Sequence, residues 1–286
     1  MDINKYLDRI NYTGSRKPTE ALLRALHRAH LLAISYENLD IHLGYPLVLA
    51  EESIYEKIVT RRRGGWCYEM NGLFAWALRE LGFHVQLLAG TVRNPERPDA
   101  IEGNHLALLV RLERPYLADV GFGNGFLEPL PLLPGSYQQN GYTYHLSHDG
   151  PRWFFHNHAQ GGAGFDFTLH SHRLADFADQ NHNLQTSPDS PFVNLTVCHR
   201  FTPQGIISLR GAVLKQYMPD QVSEQIIDSG PRYTAVLADI FDLQLTTGDL
   251  WARVWKNHGS WVQQNQTSAP NLAVPYPAPY HRPPTS

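Results

Sequence analysis

The chain has only two cysteines in 286 residues, at positions 67 and 198. That excludes a disulfide framework and suits a reducing compartment. No apolar run approaches the roughly 20 residues needed to span a bilayer. The opening Met1-Asp-Ile-Asn-Lys-Tyr-Leu reads as an amphipathic helix without the apolar block of a signal peptide. A cytoplasmic protein with no membrane partner is therefore expected. An excess of charge of one sign is missing too: 24 Lys and Arg stand against 27 Asp and Glu, a net of −3, so there is no basic field for nucleic acid. The 15 histidines lie in no cluster with cysteine or carboxylate at ligand spacing, and no functional metal is expected. Gly121-Phe122-Gly123 and Gly161-Gly162-Ala163-Gly164 do not sit between a strand and a helix with a following Lys-Ser/Thr. Phosphate-loop and dinucleotide readings fall with them. Internal repeats are also absent.

What is present concentrates around Cys67. The run Arg61-Arg-Arg-Gly-Gly-Trp-Cys-Tyr-Glu-Met-Asn71 leads directly into Leu73, Phe74, Ala77, Leu78 and Leu81 at helical spacing, with Gly82 as the stop. A thiol thus lands on the first turn of a helix, where open N–H groups and the helix dipole favour a thiolate. Alone, the pattern is more often that of a packed core cysteine. Farther on, His105-Leu-Ala-Leu-Leu-Val-Arg-Leu112 and Tyr116-Leu-Ala-Asp-Val120 read as strands joined by Glu113-Arg114-Pro115. In such a hairpin His105 falls opposite Asp119, so a carboxylate can fix the imidazole tautomer and leave the other ring nitrogen for a thiolate. Nucleophile, base and orienting group are then all available. Cys198, in an alternating strand-like run, reads as a packed core thiol.

Several blocks resemble the arylamine N-acetyltransferases. They are Tyr-Thr-Gly-Ser-Arg at 12–16, Leu-His-Arg-Ala-His-Leu-Leu-Ala-Ile at 26–34 and Tyr-Glu-Asn-Leu-Asp at 36–40. Arg-Gly-Gly-Trp-Cys-Tyr-Glu-Met-Asn-Gly-Leu-Phe at 63–74, Asn-His-Leu at 104–106 and Ala-Asp-Val-Gly-Phe-Gly at 118–123 complete the set. They cover roughly the first half of the chain in the family's order, whereas the second half is less distinctive. Trp66 and Met70 depart from the family pattern. The resemblance implies Cys67 as acyl-accepting nucleophile, His105 as its base and Asp119 as orienting carboxylate. It also implies Phe122, Gly123 and Asn104 as substrate contacts, with Gly123 leaving room beside the thiol, and an Arg63–Glu37 pair bracing the turn that carries Cys67.

Periodicity gives helices over residues 1 to about 82, strand-like alternation from His84 to about Leu169, and mixed elements thereafter. With the resemblance, the expectation is an α+β protein: an N-terminal helical bundle (1–83), a central antiparallel β-barrel-like domain (84–190) and a C-terminal α/β lid (191–286) ending in an extended Pro-rich tail. The Cys-His-Asp arrangement is papain-like. The expected activity is transfer of acetyl from acetyl-CoA, a co-substrate rather than a resident cofactor, to an arylamine, arylhydrazine or arylhydroxylamine. An amide synthase fed by a carrier protein and a papain-like or transglutaminase-type hydrolase are the alternatives. The oligomeric state stays open, a homo-oligomer included.

Overall fold

A computed structural model of the chain describes residues 1–93 and 100–266. The expected Pro-rich tail at 275–284 lies outside the described residues. The N-terminal part holds α1 (Ile3–Arg9), α2 (Glu20–Ala33), β1 (Tyr36–Glu37), α3 (Leu39–Leu43), α4 (Glu51–Tyr55) and α5 (Cys67–Glu80). Asp2 and Thr19 cap α1 and α2 through their side chains, onto the amides of Asn4 and Leu22. Helix α4 runs into a π-turn, Glu56–Thr60, before the basic segment. Helix α5 is buried almost all round, from Cys67 to Leu78, as befits a helix at the centre of a core.

The middle part carries β2 (His84–Val92), β3 (His105–Arg111), β4 (Pro115–Ala118), β5 (Leu130–Pro131), β6 (Gly135–Gln139), β7 (Tyr142–Asp149), β8 (Arg152–His156) and β9 (Phe165–Thr168). They form an antiparallel sheet in the order β5-β4-β3-β2-β9-β8-β7-β6. Leu88 of β2, Leu130 of β5 and Tyr144 of β7 share one apolar cluster, which requires the sheet to curl over itself. The two edge strands meet: Tyr137 of β6 donates through its hydroxyl to Pro131 O of β5 at 3.1 Å. The result is a nearly closed barrel, and closing protects edges that would otherwise stay unpaired. Along β3 the side chains alternate. Leu106, Leu108 and Val110 face the helices, while Ala107 and Leu109 face the barrel interior.

A 3₁₀ turn, Leu174–Phe177, leads to α6 (Ala178–Thr186) and α7 (Pro191–Asn194). Then follow β10 (Val197–Thr202), β11 (Gly205–Arg210), β12 (Val213–Met218), β13 (Gln221–Ile226), α8 (Gly230–Asp239) and α9 (Gly248–Gln266). The second sheet runs β1-β10-β11-β12-β13, so β1, within a segment read from sequence as purely helical, is its edge strand. Glu37 pairs with Cys198 in that register. Further ties join the N- and C-terminal parts: Ser35 Oγ donates to Phe241 O at 2.6 Å and Arg200 Nε to Leu32 O at 3.2 Å. Among the described residues, no helix is long and apolar enough to cross a membrane. The strand ends before His158, so His156 and His158 do not share a strand face: His156 is exposed, and His158 is buried with Nε2 at 3.2 Å from Asn124 O.

Candidate active site

The turn before Cys67 is braced by buried charge. Arg63 Nη2 lies 2.9 Å from Glu37 Oε1 and 2.7 Å from Asp40 Oδ1. Lys57 Nζ lies 3.0 Å from Asp40 Oδ2 and 2.9 Å from Glu69 Oε2. Five ionisable side chains thus alternate in sign, Glu37–Arg63–Asp40–Lys57–Glu69, and each cation lies between carboxylates, which is what makes charge tolerable in a core. The chain of charges ends on the helix that Cys67 opens, where Glu69 accepts the Trp66 N–H at 3.2 Å, half of a capping box. Gly64 is obligatory here, since a Cβ on it would fall 2.2 Å from Ser35 O. Trp66 and Met70, the departures from the family pattern, are both fully buried. The Trp66 ring packs edge-on against Tyr68 and Phe192, at centroid distances of 5.5 and 5.3 Å.

Cys67 opens α5. The first amide bonded back along the helix is that of Met70, to Trp66 O at 2.9 Å, so the Cys67, Tyr68 and Glu69 amides precede the first intrahelical bond. Across from the thiol stands His105 at the start of β3. Its Nε2 is 2.6 Å from Asp119 Oδ2, which leaves Nδ1 for Cys67, whose thiol lies near enough to the ring to help raise its pKa. Thiol, imidazole and carboxylate are 3 %, 3 % and 2 % exposed, so their interaction is shielded from bulk water. Burial alone would lower the His105 pKa. The charge and hydrogen bond of Asp119, with a smaller contribution from Cys67, outweigh it and push the imidazole up to about 10. The β3–β4 ladder ends at Leu108↔Ala118, so Asp119 lies just beyond the last pair and reaches His105 diagonally rather than from directly opposite.

Three residues not assigned a role from the sequence complete this cluster. Asn71, one helical turn after Cys67, donates from Nδ2 to Asp119 Oδ1 at 2.7 Å and to Leu106 O at 2.6 Å, and its Oδ1 accepts the Val120 N–H at 2.9 Å. Its polarity within an apolar helical run was the available signal. His27 of α2 accepts the Asp119 N–H on Nε2 at 3.1 Å and donates from Nδ1 to Leu127 O at 2.9 Å. Burial drives its pKa down to about 4, so it is neutral, with the tautomer those two contacts dictate. The third is Gly121, whose N–H reaches Asp119 Oδ1 at 2.8 Å.

Two expected contacts need correction. A Cβ on Gly121 would sit 2.7 Å from Cys67 Cα and Cys67 O, whereas one on Gly123 would strike the His199 ring at 2.7 Å. Room beside Cys67 therefore comes from Gly121, and Gly123, with φ of +80°, makes room for His199. Asn104 is committed elsewhere: its Oδ1 accepts the Val92 N–H at 2.8 Å and its Nδ2 donates to Val92 O at 3.0 Å, clamping the end of β2. Phe122 stands edge-on to His105 at 5.3 Å between centroids, half-buried beside Phe155 and Phe165.

The site sets a helix-borne thiol against an imidazole and a carboxylate from a curled antiparallel sheet. Residues 20–250 match the family model described as N-acetyltransferase. The pineal-gland isozyme of arylamine N-acetyltransferase from Gallus gallus is 35% identical over 237 residues, 74% of this chain and 81% of the relative. Arylamine N-acetyltransferase 1 of Homo sapiens is 33% identical over 239 residues, 75% and 82%. Among solved structures, the arylamine N-acetyltransferase of Mycobacterium marinum in complex with CoA superposes with a TM-score of 0.82 at 33% identity, over 88% of this chain and 98% of that one. The Nocardia farcinica enzyme gives 0.80 at 33%, over 92% and 95%. The chain belongs to the arylamine N-acetyltransferase family.

Proposed function

We propose that the protein transfers acetyl from acetyl-CoA to the nitrogen of an arylamine, arylhydrazine or arylhydroxylamine through a thioester on Cys67. The observation that carries this is the buried contact of His105 with both Cys67 and Asp119. In the first half-reaction the Cys67 thiolate attacks the thioester carbonyl carbon, the bond from carbon to the CoA sulfur breaks, and the departing sulfur takes its proton from the His105 imidazolium. In the second, the amine nitrogen attacks the enzyme thioester, His105 accepts the proton from that nitrogen, and Cys67 leaves as thiolate. Thioester to thioester is nearly isoenergetic, and amide formation is downhill. The open amides at the start of α5, that of Cys67 first, are suited to hold the oxyanion. Asp119 orients His105 and balances its charge, and Asn71 and Gly121 in turn fix the carboxylate. Phe122 presents an aromatic edge beside the imidazole, fit to border an aromatic acceptor.

On this reading residues 1–83 bring the nucleophile, 84–190 bring His105 and Asp119, and the described residues of the 191–286 part close over the cleft. Acetyl-CoA is a co-substrate, and the setting is the cytoplasm. The test is a burst measurement. Mixed with acetyl-CoA and no amine, the enzyme releases about one CoA per active site and then stalls, because the thioester waits for an acceptor. Mass spectrometry finds one acetyl group on the Cys67 peptide, absent in Cys67→Ser, and an arylamine discharges it. Sustained CoA release without amine would instead identify a hydrolase. Loading only from a carrier-bound acyl group would identify an amide synthase.

A further inference from the structure

A second cleft, of about 320 Å³, opens at the seam between the N- and C-terminal parts and shares no lining residue with the Cys67 site. Arg9 of α1, Arg62 of the segment before Cys67 and Arg200 of β10 line it together with one acid, Asp242. Three guanidiniums against one carboxylate leave two positive charges unmatched, in a chain whose net charge is −3. Two of the three are held rigid by backbone carbonyls. Arg9 donates from Nε to Ile58 O at 3.1 Å and from Nη1 to Ala33 O at 3.0 Å. Arg200 donates from Nε to Leu32 O at 3.2 Å and from Nη1 to Ile240 O at 2.8 Å. Each keeps a terminal nitrogen, Nη2, outside these bonds.

Asp242 is stretched between two cations, 3.6 Å from Arg9 Nη1 and 3.3 Å from Arg62 Nη2. Burial, with the neighbouring charges of Arg62 and Arg200, lowers the Arg9 pKa to about 10, and Asp242 offsets only part of this. The backbone around the cleft is also unusual. Asn11, Arg62 and Asp242, three of the four non-glycine residues with positive φ among the described residues, all line it. Left-handed backbone at bulky or charged residues persists where surrounding structure over-determines it, and such positions gather at ligand clamps.

We propose that this cleft binds a small phosphate dianion, a phosphomonoester or diphosphate group, through Arg9, Arg62 and Arg200. Two unmatched charges fit a dianion. The Nη2 groups of Arg9 and Arg200, held in place by the carbonyls on their other nitrogens, and the Arg62 guanidinium can each donate charge-assisted N–H bonds to phosphate oxygens. Because Arg9 comes from α1 and Arg200 from β10, an occupied cleft ties the two parts together and stabilises the folded chain by mass action.

The test uses inorganic phosphate and pyrophosphate as probes, titrated into the full-length protein at constant ionic strength. Thermal unfolding and equilibrium dialysis are the readouts. Saturable binding with a rising Tm is expected. Arg62→Glu, at a side chain 60 % exposed, should fold normally and weaken binding at least tenfold. Asp242→Asn, which removes the competing carboxylate, should strengthen binding severalfold, a gain that a merely structural role would not produce. A CoA titration of Arg62→Glu separates two sources of the dianion: unchanged CoA affinity points to free phosphorylated compounds, and a parallel loss points to a phosphate group of CoA. No saturable binding by the unaltered protein, or binding indifferent to both substitutions, would overturn the proposal.

Discussion

Replacing Asp119 by Asn tests the site most sharply, because the carboxylate serves three donors at once. Oδ2 accepts His105 Nε2 at 2.6 Å, and Oδ1 accepts Asn71 Nδ2 at 2.7 Å and Gly121 N–H at 2.8 Å. An amide has a single acceptor oxygen. If that oxygen stays with Asn71 and Gly121, the NH₂ faces His105, so Nε2 must become an acceptor and the ring proton moves to Nδ1, towards Cys67. The imidazole is then in the wrong tautomer to take a proton, a fault worth about four orders of magnitude in serine triads. Stability changes in a defined pH window. The His105 pKa is raised in the folded state to about 10, so its contribution is fully present below pH ~6.5 and is lost as pH rises through 10. At ~1.4 kcal/mol per pH unit, that contribution is on the order of 5 kcal/mol. Asp119→Asn should therefore lower the rate of CoA release in a stopped-flow acylation assay by about 10³–10⁴, by analogy with those triads. It should also flatten the decline of urea-unfolding stability between pH 7 and 10. A variant that acylates within tenfold of the parent rate and keeps the alkaline decline would refute the reasoning.

Buried neutral histidines predict the opposite behaviour in acid. His27 and His158 are lowered by burial to about 4 and His199 to about 3, so the unfolded chain takes up protons that the folded chain refuses. Stability should fall as pH drops from ~6.5 towards 4, by several kcal/mol in all, and urea titrations at pH 7 and 5 check this. A methyl group at Gly121 has no room against Cys67, so Gly121→Ala should destroy acylation, with at least ~1–3 kcal/mol of overpacking read as a lowered Tm. Gly162→Ala, whose Cβ meets nothing within 4 Å, is the silent control. Arg63→Met strands Glu37 and part of Asp40 without their cation; a loss of about 3–5 kcal/mol in chemical denaturation is expected, and a neutral result would show that the buried charges are not coupled.

What could be read in the sequence tracks how local the cause is. The α5 pattern, its Gly82 stop and the two strands of the hairpin around 113–114 depend on neighbours within one turn or one hairpin, and they appear close to where the pattern puts them, with β4 running Pro115–Ala118 and so ending two residues before the expected Val120. The two-residue β1 has no periodicity to detect, since its identity as a strand lies in its partner β10, far along the chain. β12 is only half-buried and β13 exposed along its length, so neither shows a clean alternation. Helix α9 carries Leu250, Trp251, Val254 and Trp255 at helical spacing, but only Leu250 and Val254 of these are fully covered, and Trp255 stays exposed. Around the candidate site, polar anchors such as Asn71 and His27 were invisible as partners because their role is fixed by what packs against them, not by spacing. The exchange of roles between Gly121 and Gly123 likewise depends on which backbone and which ring each glycine faces.

The pairing of Glu37 with Cys198 has a consequence for the order of assembly. Cys67, His105 and Asp119 all lie within the first 119 residues, yet the strand that carries Glu37 is completed only by β10. Glu37 in turn positions Arg63, and Arg63 holds the turn ahead of Cys67. During synthesis these three side chains therefore leave the ribosome long before the strand that completes the frame around them. A nascent chain released short of β10 would carry all three side chains of the candidate site without the frame that holds them in register. Closing a loop of that length costs little more entropy than closing a short one, so the delay is one of chain availability, and the thiol stays unaligned until the last third of the protein arrives.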